Sequence, residues 1–397
     1  MKSKYFDHAA TTPVRPEVME EMLPFFTDIY GNPSSVHLPG QKAAGAVDDA
    51  RQKIADLIGA DRSEEIIFTS GGTEADNLAI KGTAMALKDK GKHIITSSIE
   101  HHAVLHTCQF LEKHLGFDVT YLEVDEEGFV DLEMLKNSIR EDTILISIMM
   151  ANNEIGTIEP VEEIAEIAEK HDILFHTDAV QAVGQIPINV VKQNIDMLSL
   201  SAHKFNGPKG VGALYVKKGI KLVPQSSGGA QERKRRAGTE NVPGIVGMGK
   251  AAEIANEEMM EKADKLSSMR DDLISRIFSE IDDVLLNGPE GKDRLPGNAN
   301  ITFKFIEGES ILLNLNMMDI AASTGSACAS GSLDPSHVIL ALGRPHELAH
   351  GSIRFSLGYG NVQEDIDYLM EVLPGIINRL REMSPLYNKK TKEVGAD

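Results

Sequence analysis

The chain has little cysteine. Its 397 residues include only Cys108 and Cys328, too few for a disulfide framework and without metal-site spacing. Long apolar runs are missing too. No stretch approaches the length that crosses a bilayer, and the opening Met1-Lys2-Ser3-Lys4-Tyr5-Phe6-Asp7 lacks the apolar core of a secretory signal. These absences predict a cytoplasmic protein with no membrane attachment. Positive charge is in deficit, 40 basic against 60 acidic side chains for a formal charge of −20, so the overall field repels nucleic acid and anionic lipid. The one basic cluster, Arg233-Lys234-Arg235-Arg236, is short and by itself reads as a solvated loop. There is no internal repeat, and only 389–397 read as a loose polar tail.

What is present alternates. Helical patterns at 42–58, 74–88, 103–115, 132–139 and 161–171 interleave with strand patterns at 65–69, 93–96, 119–122, 144–148, 173–176 and 197–200. That order predicts an α/β domain whose mostly parallel strands are joined by crossover helices. A helical pattern from 242 to 278 then changes the character of the chain. A smaller α+β unit follows, with strands near 299–303 and 353–355 and helices near 310–316 and 362–382. The expected division is a large domain at 14–258 and a small one at 1–13 and 259–397, with the strand-like piece at 4–7 returning to the small unit.

Open α/β sheets bind ligands at the carboxyl ends of their strands, and several chemically capable residues fall there. Thr69-Ser70-Gly71-Gly72-Thr73-Glu74-Ala75-Asp76-Asn77 follows a strand and opens a helix. Its glycines allow close backbone approach, and free N–H groups at the helix start favour a phosphate. It has neither the glycine spacing of a dinucleotide fingerprint nor the lysine of a P-loop. A tight turn with a capped helix is the bland alternative. In His176-Thr177-Asp178-Ala179-Val180-Gln181 the carboxylate of Asp178 ends a strand, either as a helix cap or as the partner of a protonated pyridine nitrogen. Ser201-Ala202-His203-Lys204-Phe205-Asn206-Gly207-Pro208-Lys209-Gly210 sets a lysine at a strand end, where partial desolvation lowers an amine pKa and frees a Schiff-base nucleophile. Cradle, aspartate and lysine on one sheet edge describe the protein's side of pyridoxal phosphate binding.

Four more positions complete the candidate set. Glu100-His101-His102-Ala103-Val104 places an imidazole where it could cover a planar cofactor and exchange protons near neutral pH. Asn153, in Asn152-Asn153-Glu154-Ile155-Gly156, follows the next strand. Arg354, in Ser352-Ile353-Arg354-Phe355-Ser356, is a charge in an apolar strand, which needs either a structural salt bridge or a substrate carboxylate. Cys328 stands in Ala322-Ser323-Thr324-Gly325-Ser326-Ala327-Cys328-Ala329-Ser330-Gly331-Ser332-Leu333, among small residues that suit an accessible group-carrying thiol. Cys108, on a helical pattern, reads as an incidental core thiol.

With these segments in view, and with Asp7-His8-Ala9-Ala10-Thr11-Thr12, Gly31-Asn32-Pro33-Ser34-Ser35 and Arg236-Ala237-Gly238-Thr239-Glu240-Asn241, the chain resembles the cysteine desulfurases of the NifS/IscS type. Those belong to the aspartate-aminotransferase-like group of pyridoxal phosphate enzymes, fold type I. The resemblance runs nearly end to end and implies a seven-stranded large-domain sheet. It makes Lys204 the Schiff-base lysine and Asp178 the partner of the pyridine nitrogen. Gln181 would bond the ring hydroxyl, and His101 would stack on the ring. Gly72, Thr73, Ser201 and His203 would hold the phosphate, with Thr239 reaching it from the other subunit of a homodimer, a dimer that also sets the basic cluster beside the partner's active site. Asn153 and Arg354 would grip the carboxylate of L-cysteine. Cys328 would accept the sulfur as a persulfide, serve as a candidate transient iron–sulfur ligand, and deliver to a scaffold protein of the IscU/NifU type. Rival readings are an aminotransferase or a selenocysteine lyase on the same scaffold, and a catalytically silent assembly partner. The presence of Cys328 speaks against the first, and that of Lys204 and Cys328 together against the last.

Overall fold

The computed structural model describes residues 3–325 and 335–387. Cys328 and the tail at 389–397 lie outside the described residues. The chain begins with a short strand, β1 (Lys4–Tyr5). It then builds β2 (Ile66–Thr69), β3 (His93–Ser97), β4 (Asp118–Leu122), β5 (Thr143–Ser147), β6 (Leu174–Asp178), β7 (Met197–Ser201) and β8 (Gly212–Val216). These seven form one sheet in the order β2-β8-β7-β6-β5-β3-β4. Every pairing is parallel except the two made by β8, so the other six strands point the same way and end on one edge.

Every residue of β2, β3, β5, β7 and β8 is buried, as a parallel sheet covered by helices on both faces requires. On one face the helices Leu38–Ile58 and Val161–Lys170 pack Val47, Ile54, Ile164 and Ala168 against Phe68, Ile146 and Leu198. On the other, the helices Gly72–Leu87 and His102–Leu115 supply Leu78, Ile80, Cys108 and Leu111 to a core with Ile67, Ile94 and Leu145. Gly59 and Gly116 close two of these helices in left-handed conformation, φ 65° and 66°, where a side chain would be strained.

The helix Val242–Glu280 is 39 residues long, and Asn241 caps it by accepting from the Gly244 N–H. Its first third, Val242 to Ile254, packs into the large-sheet core, whereas Leu266, Met269, Leu273 and Ile277 belong to a second core with Phe6, Phe303, Phe355 and Leu369. That second core sits on a three-stranded antiparallel sheet of β9 (Val284–Leu286), β10 (Asn298–Phe303) and β12 (Ser352–Ser356). β1 pairs in parallel with β11 (Ile320–Ala321), and Asp7 bridges Ser356, so the start of the chain does return to this unit. The strands and helices expected from patterning form within a few residues of their predicted ends. β8, β9 and β11 were not foreseen: β9 and β11 are only two or three residues long and carry no period, and β8 is buried throughout, so it shows no alternation. Among the described residues no helix is long and apolar enough to cross a membrane.

Candidate active site

Gly72, His101, Asp178, Ser201, His203 and Lys204 all lie at or just beyond the shared strand edge. After β2, Ser70 to Glu74 turn into the helix Gly72–Leu87, and with Thr11, Ser201, His203, Lys209 and Gly210 they line a cavity of about 400 Å³. Glycine is required here by close approach. A Cβ at Gly72 would stand 2.6 Å from Val180 Cγ2, and one at Gly212 would stand 2.7 Å from the Gly71 backbone. The helix start leaves backbone N–H groups facing the cavity rim, an anion-favouring arrangement. Burial opposes the charge of Glu74 at the rim, but hydrogen bonds from Arg236 (2.8 Å) and from the Ser70 N–H (2.8 Å) outweigh it and hold the carboxyl below its usual range. Arg236 of the basic cluster is therefore fixed beside the cradle.

Asp178 ends β6 and is 5% exposed. It accepts from the Val180 N–H at 2.9 Å. Burial raises its pKa to about 6, with that hydrogen bond and the charge of Lys204 working the other way. Behind it lies a second buried layer. His176 bridges Ser147 and Ser199 at 2.9 Å each, and its Nε2 lies 3.8 Å from Asp76 Oδ1. Burial, then the charge of Asp178, pushes the Asp76 carboxyl up. Burial also drives His176 down to about 3, so the imidazole of this layer is uncharged at neutral pH.

Lys204 follows β7 in a single turn, Ala202–Lys204. Its Nζ donates to the carbonyls of Ala9 (2.6 Å) and Ala10 (3.0 Å), and Gln181 Nε2 donates to the same Ala9 carbonyl at 2.9 Å. Thr11 Oγ1 meets His203 Nδ1 at 3.1 Å, and Thr12 donates both its N–H and its hydroxyl to the His203 carbonyl. The segment 7–12 thus lies across the lysine. Burial, then the charges of Lys204 and Lys209, takes His203 down to about 4.

His101 caps the helix His102–Leu115, its Nδ1 accepting from the Ala103 N–H at 3.1 Å. Burial first, then the charge of Lys204, lowers its pKa to about 4, so at neutral pH the ring is uncharged and carries its hydrogen on Nε2. Asn153 is half-buried. Its carbonyl accepts from Arg354 Nη1 at 2.9 Å, and Arg354 Nη2 binds Asp7 Oδ1 at 2.9 Å. The salt bridge is therefore made, while Arg354 Nε, buried, has no partner. Thr73 and Thr239 are exposed. Cys108 is fully buried and its thiol is pushed far up by burial.

Sequence reasoning missed the role of the Ala9 and Ala10 carbonyls, since a backbone acceptor carries no residue signature. It also missed Asp76, although that residue stood inside the quoted Gly-Gly motif four positions after Gly72, the helical spacing that returns a side chain to the same face. A larger cavity of about 540 Å³, lined by residues such as Arg15, Glu258, Lys262 and Tyr359, contains none of the candidate residues.

Residues 4–369 match the aminotransferase class-V family. The chain is 60% identical to the cysteine desulfurase IscS of Methanosarcina thermophila over 99% of its own length and 96% of that protein's. It is 59% identical to the cysteine desulfurase IscS of Clostridium botulinum, strain Hall, over 98% of each. A solved NifS-like protein superposes with a TM-score of 0.89 at 40% identity, covering 96% of this chain and all of that one. A family match spanning nearly the whole chain, together with 59–60% identity to curated relatives over almost their full length, leaves one assignment: the chain belongs to the class-V aminotransferases and, within them, to the cysteine desulfurases of the IscS and NifS type.

Proposed function

We propose that this chain converts L-cysteine to L-alanine and leaves the sulfur as a persulfide on Cys328. The observation that carries this reading is the meeting of Lys204, Asp178 and the Gly71–Gly72 cradle on one edge, in a chain that also holds Cys328.

The residues present fit pyridoxal phosphate. The cavity at Gly72, Thr73, Ser201 and His203 offers backbone N–H groups, hydroxyls and an imidazole to a phosphate. Asp178, a buried carboxylate within the field of Lys204, suits a protonated ring nitrogen, and Gln181, whose Nε2 donates to the Ala9 carbonyl, would bond the ring hydroxyl. The uncharged, half-buried imidazole of His101 offers a flat face. Thr239, exposed on this chain, would reach the phosphate of a second copy in a homodimer. When bound, the cofactor supplies an electron sink for charge developing at the substrate Cα.

The chain's own groups do the rest. Asn153 and Arg354 orient the substrate carboxylate, and Asp7 keeps the guanidinium plane fixed while they do so. The Lys204 amine takes the proton from Cα. His101, holding its hydrogen on Nε2, donates toward the reacting centre. Cys328, as thiolate, attacks the substrate sulfur. An S–S bond forms, the Cβ–S bond breaks, its electron pair stays with the carbon fragment, and two protons complete alanine, one at Cβ and the other returned to Cα from Lys204. A thiol of ordinary pKa, about 8.5, is mostly protonated at neutral pH, so this step needs local help in deprotonating Cys328.

The same proposal includes a homodimer, a cytoplasmic site of action, and delivery of the persulfide sulfur to an IscU- or NifU-type scaffold, with Cys328 as transient cluster ligand. It also includes division of the chain at 14–258 and at 1–13 with 259–397. The two cores that share the Val242–Glu280 helix support that division. The test is alanine formed from L-cysteine by purified protein with pyridoxal phosphate and a thiol reductant, beside Cys328→Ala. Alanine from the first and not the second is expected. Alanine from neither, with cofactor bound, overturns the reading in favour of amino-group transfer. Running selenocysteine in parallel separates the lyase, which turns over without Cys328.

A further inference from the structure

Asn153 has a neighbour that the mechanism above leaves unused. Glu154 is 5% exposed, and its carboxylate touches chain on both sides of the segment 326–334, which carries Cys328 in sequence. On one side, Glu154 Oε2 accepts from Ser336 Oγ at 2.5 Å. Ser336 Oγ in turn accepts from the N–H groups of Val338 (3.1 Å) and Ile339 (3.3 Å), capping the helix His337–Ala341. On the other side lies Gly325, in left-handed conformation at φ 80°, so close that a Cβ there would stand 2.6 Å from the same Oε2. The Gly325 N–H donates to Ser323 Oγ at 3.2 Å, and Ser323 exchanges backbone hydrogen bonds with Arg354 at 3.2 and 2.6 Å.

Glu154 itself is held from every direction. Its N–H donates to Asn152 Oδ1 at 2.8 Å. Its carbonyl accepts from the side-chain amides of Asn298 and Asn300, both at 3.1 Å. Burial raises its carboxyl pKa, opposed by the Ser336 hydroxyl and by the charges of Arg354 and His102. A buried carboxylate is expensive to keep without compensating partners, and here those partners are the Ser336 hydroxyl and the charges of Arg354 and His102, with Gly325 packed close against the same oxygen.

We propose that Glu154 is a positioning residue: by holding Gly325 and Ser336 together, it fixes the ends of the Cys328 segment relative to Asn153 and Arg354. This rests on the desulfurase reading, in which Cys328 takes the sulfur. The dipeptide Asn153-Glu154 then has two faces. One serves the grip on the amino acid, and the other sets where the thiol's segment is rooted. Gly325 is required because a side chain would displace the carboxylate, and Ser336 because one hydroxyl serves both the helix cap and the tie.

The test uses the cofactor-loaded enzyme with Glu154→Ala, Glu154→Gln and Ser336→Ala, and three readouts: kcat and KM for alanine formation, the change in cofactor absorbance on adding L-cysteine, and the rate of Cys328 alkylation by iodoacetamide before cysteine is added. Cys108 is buried and stays silent, which Cys328→Ala verifies. In Glu154→Ala, kcat falls by about 100-fold, the scale of a misplaced reacting group. KM and the cysteine-induced absorbance change are retained, and alkylation of Cys328 speeds up several-fold. Glu154→Gln and Ser336→Ala shift in the same direction by less. Loss of the absorbance change together with kcat would overturn the proposal, because Glu154 would then act on the substrate site. Unchanged alkylation in Ser336→Ala would overturn it as well, including in the case where Glu154→Ala fails to fold. Absence of alanine from the wild type would sink the desulfurase reading instead, and the alkylation rates would still judge the tie.

Discussion

Two turns at the same sheet edge have opposite designs. The one after β2, Ser70 to Glu74, commits the Ser70 N–H to Glu74 and the Gly71 and Thr73 carbonyls to neighbouring groups, but no side chain caps its helix start, which borders a cavity of about 400 Å³. The one after β5, Asn152 to Gly156, commits nearly all of its backbone. Its N–H groups go to Asn152 Oδ1 and to the Asn152 carbonyl, and its carbonyls take Arg354, Asn298, Asn300 and Arg294. The first turn borders a cavity with helix-start N–H groups that no side chain caps, which is what the proposed phosphate site needs. The second joins the two units of the molecule because its groups have been matched by side chains from the smaller one. Position at the strand ends alone does not make a binding site; what remains unpaired there does.

The sharpest way to test this contrast is at Lys204. Lys204→Ala should lower alanine formation by roughly 10²–10⁴-fold, the range for loss of a proton-transferring group, with the urea midpoint little changed. A comparable loss of stability would show that the edge at β7 is structural too. Next comes the matched turn. Asn300→Ala removes a donor from the Glu154 carbonyl and an acceptor from Asn287 Nδ2, both buried, and should destabilise by about 1–3 kcal/mol in urea unfolding, with cofactor affinity retained. Gly72→Ala should strike both stability and the proposed cofactor site. Its Cβ collides with Val180, overpacking costs about 1–3 kcal/mol, and the loss should appear as weaker binding of pyridoxal phosphate in an absorbance titration.

A further test is in pH. The folded pKa of His101 is depressed to about 4 from 6.5. Its contribution to stability is therefore complete above 6.5 and is lost as pH falls from there through 4, where the unfolded chain binds the proton first. Urea unfolding across that window should show a shallower acid decline in His101→Gln than in the wild type. Equal slopes would mean that the imidazole is not desolvated, and that the site around β3 is wetter than the cradle contrast requires.

Much of this could be read from the chain before any coordinates. Alternating patterns gave the strands from Ile66 to Ser201, and the rule that ligands sit at carboxyl ends put Gly72, His101, Asp178 and Lys204 on a common edge. What escaped was long-range pairing. Nothing near Arg354 in sequence announces Asp7, 347 residues away. Nothing in Asn298 or Asn300 announces a carbonyl at Glu154, 144 and 146 residues earlier. Motif reading identifies groups that are chemically capable, and hydrophobic period identifies faces, but neither encodes which distant polar group will satisfy which.

The Val242–Glu280 helix has a practical consequence for anyone who divides this gene. At about 1.5 Å per residue it is a rod of about 58 Å, rooted in one core by Ile245 and Met248 and in the other by Leu273 and Ile277. A split-protein pair or an inserted reporter placed at the seam where this helix passes from one core to the other, between Ile254 and Leu266, would sever a continuous hydrogen-bond ladder rather than a linker. Cuts at exposed turns such as the one around Gly219, where an added Cβ meets nothing within 4 Å, would leave the rod whole, and fragments made there should reassemble where fragments made at the seam do not.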